Sequence, residues 1–146
     1  MKNKRIIWHI VIALIIIGFF AGAILAASGK LIRMITGNKA EILFYNMDYM
    51  PIFKRWSDKW ITGIIFHYMT CIISAVVLFY MLIPFGWEMN IWPYVLVYTA
   101  GSAALYFLSL LTDKPPAADS FSSWFYWTFS HAIFGFAVGC LIKWWV

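Results

Sequence analysis

Charge is missing from four long stretches of this chain, and no other feature constrains its fold so strongly. All seventeen Asp, Glu, Lys and Arg residues lie outside residues 6–27, 61–83, 92–112 and 124–142, uncharged runs of 19 to 23 residues. As helices rising ~1.5 Å per residue, such runs measure roughly 28 to 35 Å, against a bilayer hydrocarbon core of about 30 Å. The bilayer core holds no water to pair backbone groups, and the runs show no regular period-2 alternation, which favours helices over a barrel. The expected fold is all-α and polytopic: four transmembrane helices forming one domain over residues 1–146. A hydrophobic content of 64% and a mean hydropathy of +0.81 leave too little polar surface to coat a water-soluble globule, so the lipid bilayer is the expected solvating partner.

The basic start, Lys2, Lys4 and Arg5, followed by an apolar run that ends near Ala21, Gly22 and Ala23, has the outline of a secretory signal. A signal core is ~7 to 15 residues, and this run is of span length, so the first helix is expected to remain. The nine tryptophans cluster near the span ends. Their amphipathic rings favour the headgroup level and predict two aromatic belts. Pro84 with Gly86 closes the second span, Pro93 opens the third, and Pro115 with Pro116 stops it from continuing. The short turns over 84–91 and 113–123 predict antiparallel neighbours.

Residues 28–60 form the one long connection. After Pro51, residues Ile52, Phe53, Trp56 and Trp60 recur at helical spacing while Lys54, Arg55, Asp58 and Lys59 fall mostly elsewhere. This predicts a short helix lying in the interface, with Trp56, Trp60, Lys54 and Arg55 at the membrane surface. Its role is interfacial anchoring, or else binding of anionic headgroups or a protein partner. Loop charges conflict over orientation: the amino terminus has three basic residues and the first loop six, although the first helix usually dominates.

Gly18, Gly22 and Ala26 recur every four residues in the first span, as do Gly135 and Gly139 in the fourth. Such ridges let another backbone approach closely. They are expected to pack helices within the chain, with homo-oligomerisation through the same faces as the alternative. In the third span Tyr98, Ser102, Tyr106 and Ser109 line one side, and hydroxyls inside a membrane need partners. Cys71 and Cys140 lie mid-span, where they serve as small packing residues rather than a disulfide framework.

The histidines are the residues best suited to chemistry. Gly63, His67, Thr70, Cys71 and Ser74 share one face of the second span, and His131, Gly135, Gly139 and Lys143 one face of the fourth. Ionisable groups within a membrane point into the bundle or a wet cavity, so His67 and His131 should face inward. The two helices run in the same direction, which puts both histidines roughly 10 Å below one surface, where they can meet. Three roles stand open: neutral imidazoles acting as polar glue, a proton site, and a metal or haem site with Cys71 one turn away. Without a carboxylate in any span, no cofactor is expected, and haem on His67 and His131 is the alternative. His9, beside Trp8, is interfacial. The chain shows no phosphate loop, zincin motif or nucleophile elbow, and its basic residues sit beside spans rather than in a nucleic-acid footprint. A non-enzymatic role without nucleic acid follows.

The order of features resembles the YagU-like family of bacterial inner-membrane proteins. The resemblance rests on Gly18 to Gly22, on Trp60 to Tyr80 around His67, and on Pro115 to Lys143 with Pro115-Pro116, Asp119 and His131. It covers most of the chain, which departs from the family in a shorter first loop. The resemblance implies residence in the bacterial plasma membrane, both termini in the cytoplasm, no assigned reaction and a loose association with acid tolerance. With the histidines, it gives a pH-responsive membrane component as the expected function. A small transporter or channel subunit is the alternative, followed by a haem- or metal-binding redox protein.

Overall fold

The structure, a computed structural model, describes residues 2–146, with side chains from residue 7 onward. The helices are α1 (Lys2–Thr36), α2 (Ile42–Tyr45), α3 (Trp60–Leu82), α4 (Ile91–Leu105) and α5 (Phe121–Trp145). Among the described residues four helical segments are long and apolar enough to cross a membrane: Ile7–Thr36, Trp60–Phe85, Ile91–Leu111 and Phe121–Trp145. The same residues form no strand. The architecture is that of an all-α, multi-pass membrane protein.

Local sequence explains the helix ends. α1 continues through Lys30 and Arg33, well past the uncharged run, because nothing breaks it before Gly37. That glycine takes a φ of 74°, and its N–H donates to the Arg33 carbonyl at 2.8 Å, a left-handed stop that a side chain would strain. α3 runs into a 3-10 turn, Ile83–Phe85, that carries Pro84 and ends at Gly86 with a φ of 65°. Asn90 caps α4 by accepting from the Trp92 N–H, and Ser120 caps α5 by accepting from Ser123. α4 tightens at Tyr106–Leu111 into a 3-10 segment, so the third span is two helix types in series.

The spans alternate in direction. α1 packs on α3 and on α5, and α5 packs on α4, whereas α3 and α4 touch little. The order around the bundle is therefore α3, α1, α5, α4, with an open seam between α3 and α4. In lipid such contacts depend on close van der Waals fit rather than on the hydrophobic effect, and the glycines provide it. A Cβ added at Gly18 would stand 2.6 Å from Ile72 Cα, and one at Gly22 would stand 3.1 Å from Cys71 Cβ. On α5, a Cβ at Gly135 would meet the Tyr94 carbonyl oxygen at 2.7 Å and one at Gly139 would meet Ile91 Cα at 2.9 Å. Both Gly-xxx-Gly faces are thus occupied by helices of the same chain. A homo-oligomer built through these faces would have to displace α3 and α4.

The long connection holds more than expected. The short helix after Pro51 is present as a single 3-10 turn, Lys54–Trp56, flanked by hydrogen-bonded turns. The unexpected element is α2, one helical turn that enters the end of the bundle and buries Leu43 and Phe44. Ala40, Asn46 and Met47 are buried with it. Two glycines make room: a Cβ at Gly29 would lie 2.5 Å from Phe44 Cε2, and one at Gly63 would lie 2.7 Å from the Tyr45 carbonyl oxygen.

Candidate functional site

His67 lies two turns into α3 and His131 nearly three turns into α5, both from the end of the bundle that carries α2. His67 is 3% exposed. Its Nε2 donates to the Gly22 carbonyl oxygen at 3.0 Å, which crosses from α3 to α1. Cys71 Sγ stands 3.9 Å from the same nitrogen, a weak contact beside that bond. His131 Nδ1 donates to the Trp127 carbonyl at 2.8 Å, one turn back on its own helix. A carbonyl oxygen accepts only, so these bonds define the tautomer of each neutral ring: the proton is on Nε2 in His67 and on Nδ1 in His131.

The two imidazoles come near one another without bonding, because α2 supplies a ring to both. Phe44 has its centroid 5.6 Å from that of His67 and 5.5 Å from that of His131. It also packs at 5.0 Å on Trp127, whose ring is 4.4 Å from His131. Tyr45 reaches His67 at 5.3 Å. The expected meeting of two histidines is therefore a cluster of aromatic rings with a loop residue at its centre. Placing a haem between the imidazoles would require Phe44 to leave, and ligation through Nε2 of His67 would also break its bond to Gly22. The arrangement does not fit that group.

Two adjoining cavities accompany the cluster. One of about 110 Å³ lies under α2, with Phe44, Tyr49, His67, Cys71 and His131 in its wall. The other, about 240 Å³, occupies the seam between α3 and α4 and is lined by Thr70, Cys71, Ser74, Tyr98, Ser102 and His131 among others. His131 lines both. The seam is bridged by Tyr98, whose hydroxyl donates to Ser74 Oγ at 3.3 Å.

The remaining hydroxyls of the third span find separate partners. Ser102 Oγ donates to the Thr99 carbonyl at 2.9 Å and Tyr106 to the Ala117 carbonyl at 2.7 Å. Ser109 Oγ is buried with no partner among the described residues. Two tryptophans assigned to the belts do other work. Trp127, only 8% exposed, donates from Nε1 to the Ser102 carbonyl at 2.7 Å, and Trp124 donates to the Ala103 carbonyl at 3.0 Å. The change from α to 3-10 after Leu105 skips one carbonyl in the ladder, and Trp124 occupies it. Trp8, Trp60, Trp87, Trp92, Trp144 and Trp145 remain well exposed, with Trp56 at 38%. His9 is exposed on α1 and Cys140 is partly buried on α5.

Polar bonds clamp α2 from above. Asn46 Nδ2 donates to Thr112 Oγ1 at 3.0 Å, and Asn46 Oδ1 accepts from the Asp48 N–H at 2.9 Å. Lys114 Nζ stands 3.0 Å from Asp48 Oδ2 and 3.9 Å from Asp58 Oδ1, which ties the first loop to the third. Burial alone would raise the Asp48 carboxyl, but hydrogen bonds from Ser57 and Lys114, together with the charges of Lys114 and Lys54, hold it below its ordinary value. Arg33 on α1 holds Glu41 at 2.7 Å. Tyr45 is raised by burial and then by the charge of Glu41, and Tyr49 by burial.

Sequence reasoning located both histidines, Cys71 and the glycine ridges. It missed Phe44, Tyr45 and Asn46, whose only signal was a short apolar run, Ile42 to Tyr45, inside an otherwise polar loop. No family model matches the chain, and neither a curated protein nor a solved structure matches it.

Proposed function

We propose that this is a bacterial plasma-membrane protein without enzymatic activity, in which His67 and His131 form a proton-responsive pair that controls how firmly α2 seats in the bundle. The observation that carries this reading is the packing of one loop residue, Phe44, on both imidazoles. Each ring has already committed its one proton to a main-chain carbonyl. A second proton therefore goes to Nδ1 of His67 and Nε2 of His131.

The groups against the His67 ring are Phe44, Tyr45, Tyr68 and Cys71, those against the His131 ring are Phe44 and Trp127, and Tyr49, Cys71 and Tyr98 share the cavities that His131 lines. No carboxylate is among them. Glu41, at the start of α2, is held by Arg33. Two imidazolium charges would therefore meet no counterion. With each ring within 5.6 Å of the Phe44 centroid, the two rings lie no more than about 11 Å apart. At an effective dielectric near 20 their repulsion is then about 1.5 kcal/mol or more. Relief comes by lifting α2 and admitting water.

The resemblance to the YagU-like family supports the same setting: the bacterial inner membrane, both termini cytoplasmic and a link to acid tolerance. With that orientation the histidines lie toward the outer leaflet, within reach of external acid. The test is amide hydrogen exchange over residues 38–59 of the purified full chain between pH 5 and 8, corrected for the intrinsic pH dependence of exchange. Protection should fall on the acid side in the native chain and stay flat in H67Q/H131Q. Equal protection at both pH values in the native chain, or the same fall in the double variant, overturns the proposal.

A second reading, a small transporter or channel subunit, is favoured by the cavity in the seam between α3 and α4. Proton-driven flux in liposomes that is lost in Ser102→Leu would favour it.

A further inference from the structure

We propose that the outer face of α3, together with the turn after Pro51, is a binding site for one phospholipid with a net-negative headgroup. The site adjoins the histidine cluster, from which Phe66 and Thr70 divide it, but the proposal does not depend on the function proposed above.

A groove of about 480 Å³ lies between loop and helix. Its loop wall is Met47, Phe53 and Trp56, and its helix wall runs from Thr62 through Ile65, Phe66, Met69 and Thr70 to Ile73. Ile65, Met69 and Ile73 are each about half exposed and recur every four residues, so they form one stripe down α3. From Thr62 to Ile73 the stripe descends roughly 16 Å, the depth of an acyl chain in one leaflet. The two hydroxyls on the groove are already used by the protein. Thr62 Oγ1 donates at 2.6 Å to the Trp56 or Lys59 carbonyl, and Thr70 Oγ1 donates to the Phe66 carbonyl at 2.8 Å. The wall therefore offers a ligand apolar surface alone, which suits a hydrocarbon chain and not a polar solute.

The mouth of the groove is basic. Lys54 and Arg55 share the 3-10 turn with Trp56, and Lys59 precedes the first residue of α3. All three are exposed, and among the described residues none is in an ion pair within 4.0 Å. Arg55 lies 4.7 Å from the Trp56 ring centroid, which holds its guanidinium beside the groove at headgroup level. Of the nearby acids, Asp48 is paired with Lys114 at 3.0 Å while also feeling the charge of Lys54, and exposed Asp58 stands 3.9 Å from Lys114. Lys54, Arg55 and Lys59 still outnumber these acids at the mouth, and a net-positive mouth above an apolar groove of chain length matches a lipid with a negative headgroup better than a zwitterionic one.

The test is native mass spectrometry of the full chain in detergent, titrated in parallel with dioleoyl phosphatidylglycerol and dioleoyl phosphatidylcholine. The native chain should retain one phosphatidylglycerol with roughly tenfold or greater preference. K54Q/R55Q/K59Q should lose that preference, while K30Q/K39Q, which removes cations away from the groove, should keep it. Met69→Trp fills the groove from an exposed position and should abolish the retained lipid of either kind without unfolding the chain, as followed by circular dichroism. Equal retention of the two lipids by the native chain overturns the proposal. So does a preference that survives the triple variant or Met69→Trp, or one that is lost in K30Q/K39Q.

Discussion

His67 on α3 donates its Nε2 proton to the carbonyl oxygen of Gly22 on α1 across 3.0 Å. The bond exists because Gly22 lacks a side chain: a Cβ there would stand 3.1 Å from Cys71 Cβ and 3.2 Å from a Tyr68 ring carbon. One glycine thus permits the close approach of the helices and exposes the carbonyl that orients the imidazole. Nitrogen NMR of the labelled chain should show His67 as the Nε2–H tautomer and His131 as Nδ1–H. The opposite tautomer at either site contradicts the hydrogen-bond geometry.

The glycines on α1 and α4 should respond in opposite ways to the same kind of change. Gly18→Ala places a methyl 2.6 Å from Ile72 Cα, and backbone cannot yield cheaply, so we expect a loss of about 1 to 3 kcal/mol. A Cβ at Gly101 meets nothing within 4 Å. Gly101→Ala should therefore be neutral or stabilise by up to ~1 kcal/mol through helix propensity. Thermal unfolding in detergent orders the two.

Removing the ring at the centre of the cluster should loosen the loop more than it harms the helices. Phe44→Ala deletes contacts with His67, Trp127 and His131, at a cost of about 3 kcal/mol for a buried aromatic. Imidazole C2-proton exchange at His67 and His131 should accelerate several-fold as water enters. An unchanged exchange rate would mean that α2 does not seal the site.

Trp127 tests the junction between the α and 3-10 parts of the third span. Trp127→Phe keeps most of the packing but removes the 2.7 Å bond to the Ser102 carbonyl, for an expected loss of about 1 to 2 kcal/mol. Trp8→Phe, at an exposed position, should change bundle stability by less than about 0.5 kcal/mol. Equal losses at the two positions would place Trp127 among the interfacial rings.

The clasp between the loops should fail in acid. The Asp48 carboxyl titrates below its ordinary 3.8 in the folded chain. Its contribution is therefore fully present above about 3.8 and is lost as pH falls through the lowered folded value. Asp48→Asn should flatten that acid arm of the stability curve while leaving the change between pH 5 and 8 intact. Because the partner, Lys114, is 40% exposed, added salt should weaken the clasp.

The spans were legible in the sequence because lipid imposes a one-dimensional rule: an uncharged run of about twenty residues becomes a helix regardless of its neighbours. The inward faces of α3 and α5 followed from helical periodicity, and the close-packing sides of α1 and α5 from glycines at every fourth residue. Loop structure obeys no such local rule. Ile42 to Tyr45 is too short to announce a helix, and its turn persists because Gly29 and Gly63, distant in sequence, leave space for Phe44 and Tyr45. Trp127 likewise has the composition of a belt residue, and only the approach of α4, whose Ser102 carbonyl accepts its indole N–H, makes it a core residue.

The sequence by itself determined that the chain is helical, how many of its helices are long and apolar enough to cross a membrane, and which histidines lie on them, since each depends on composition and on the 3.6-residue period. Only the tertiary structure decided that α1 lies between α3 and α5, that a seam remains between α3 and α4, and that Phe44 joins His67 to His131. Those outcomes depend on which surfaces fit at close range, and fit between distant segments is a property of three-dimensional shape.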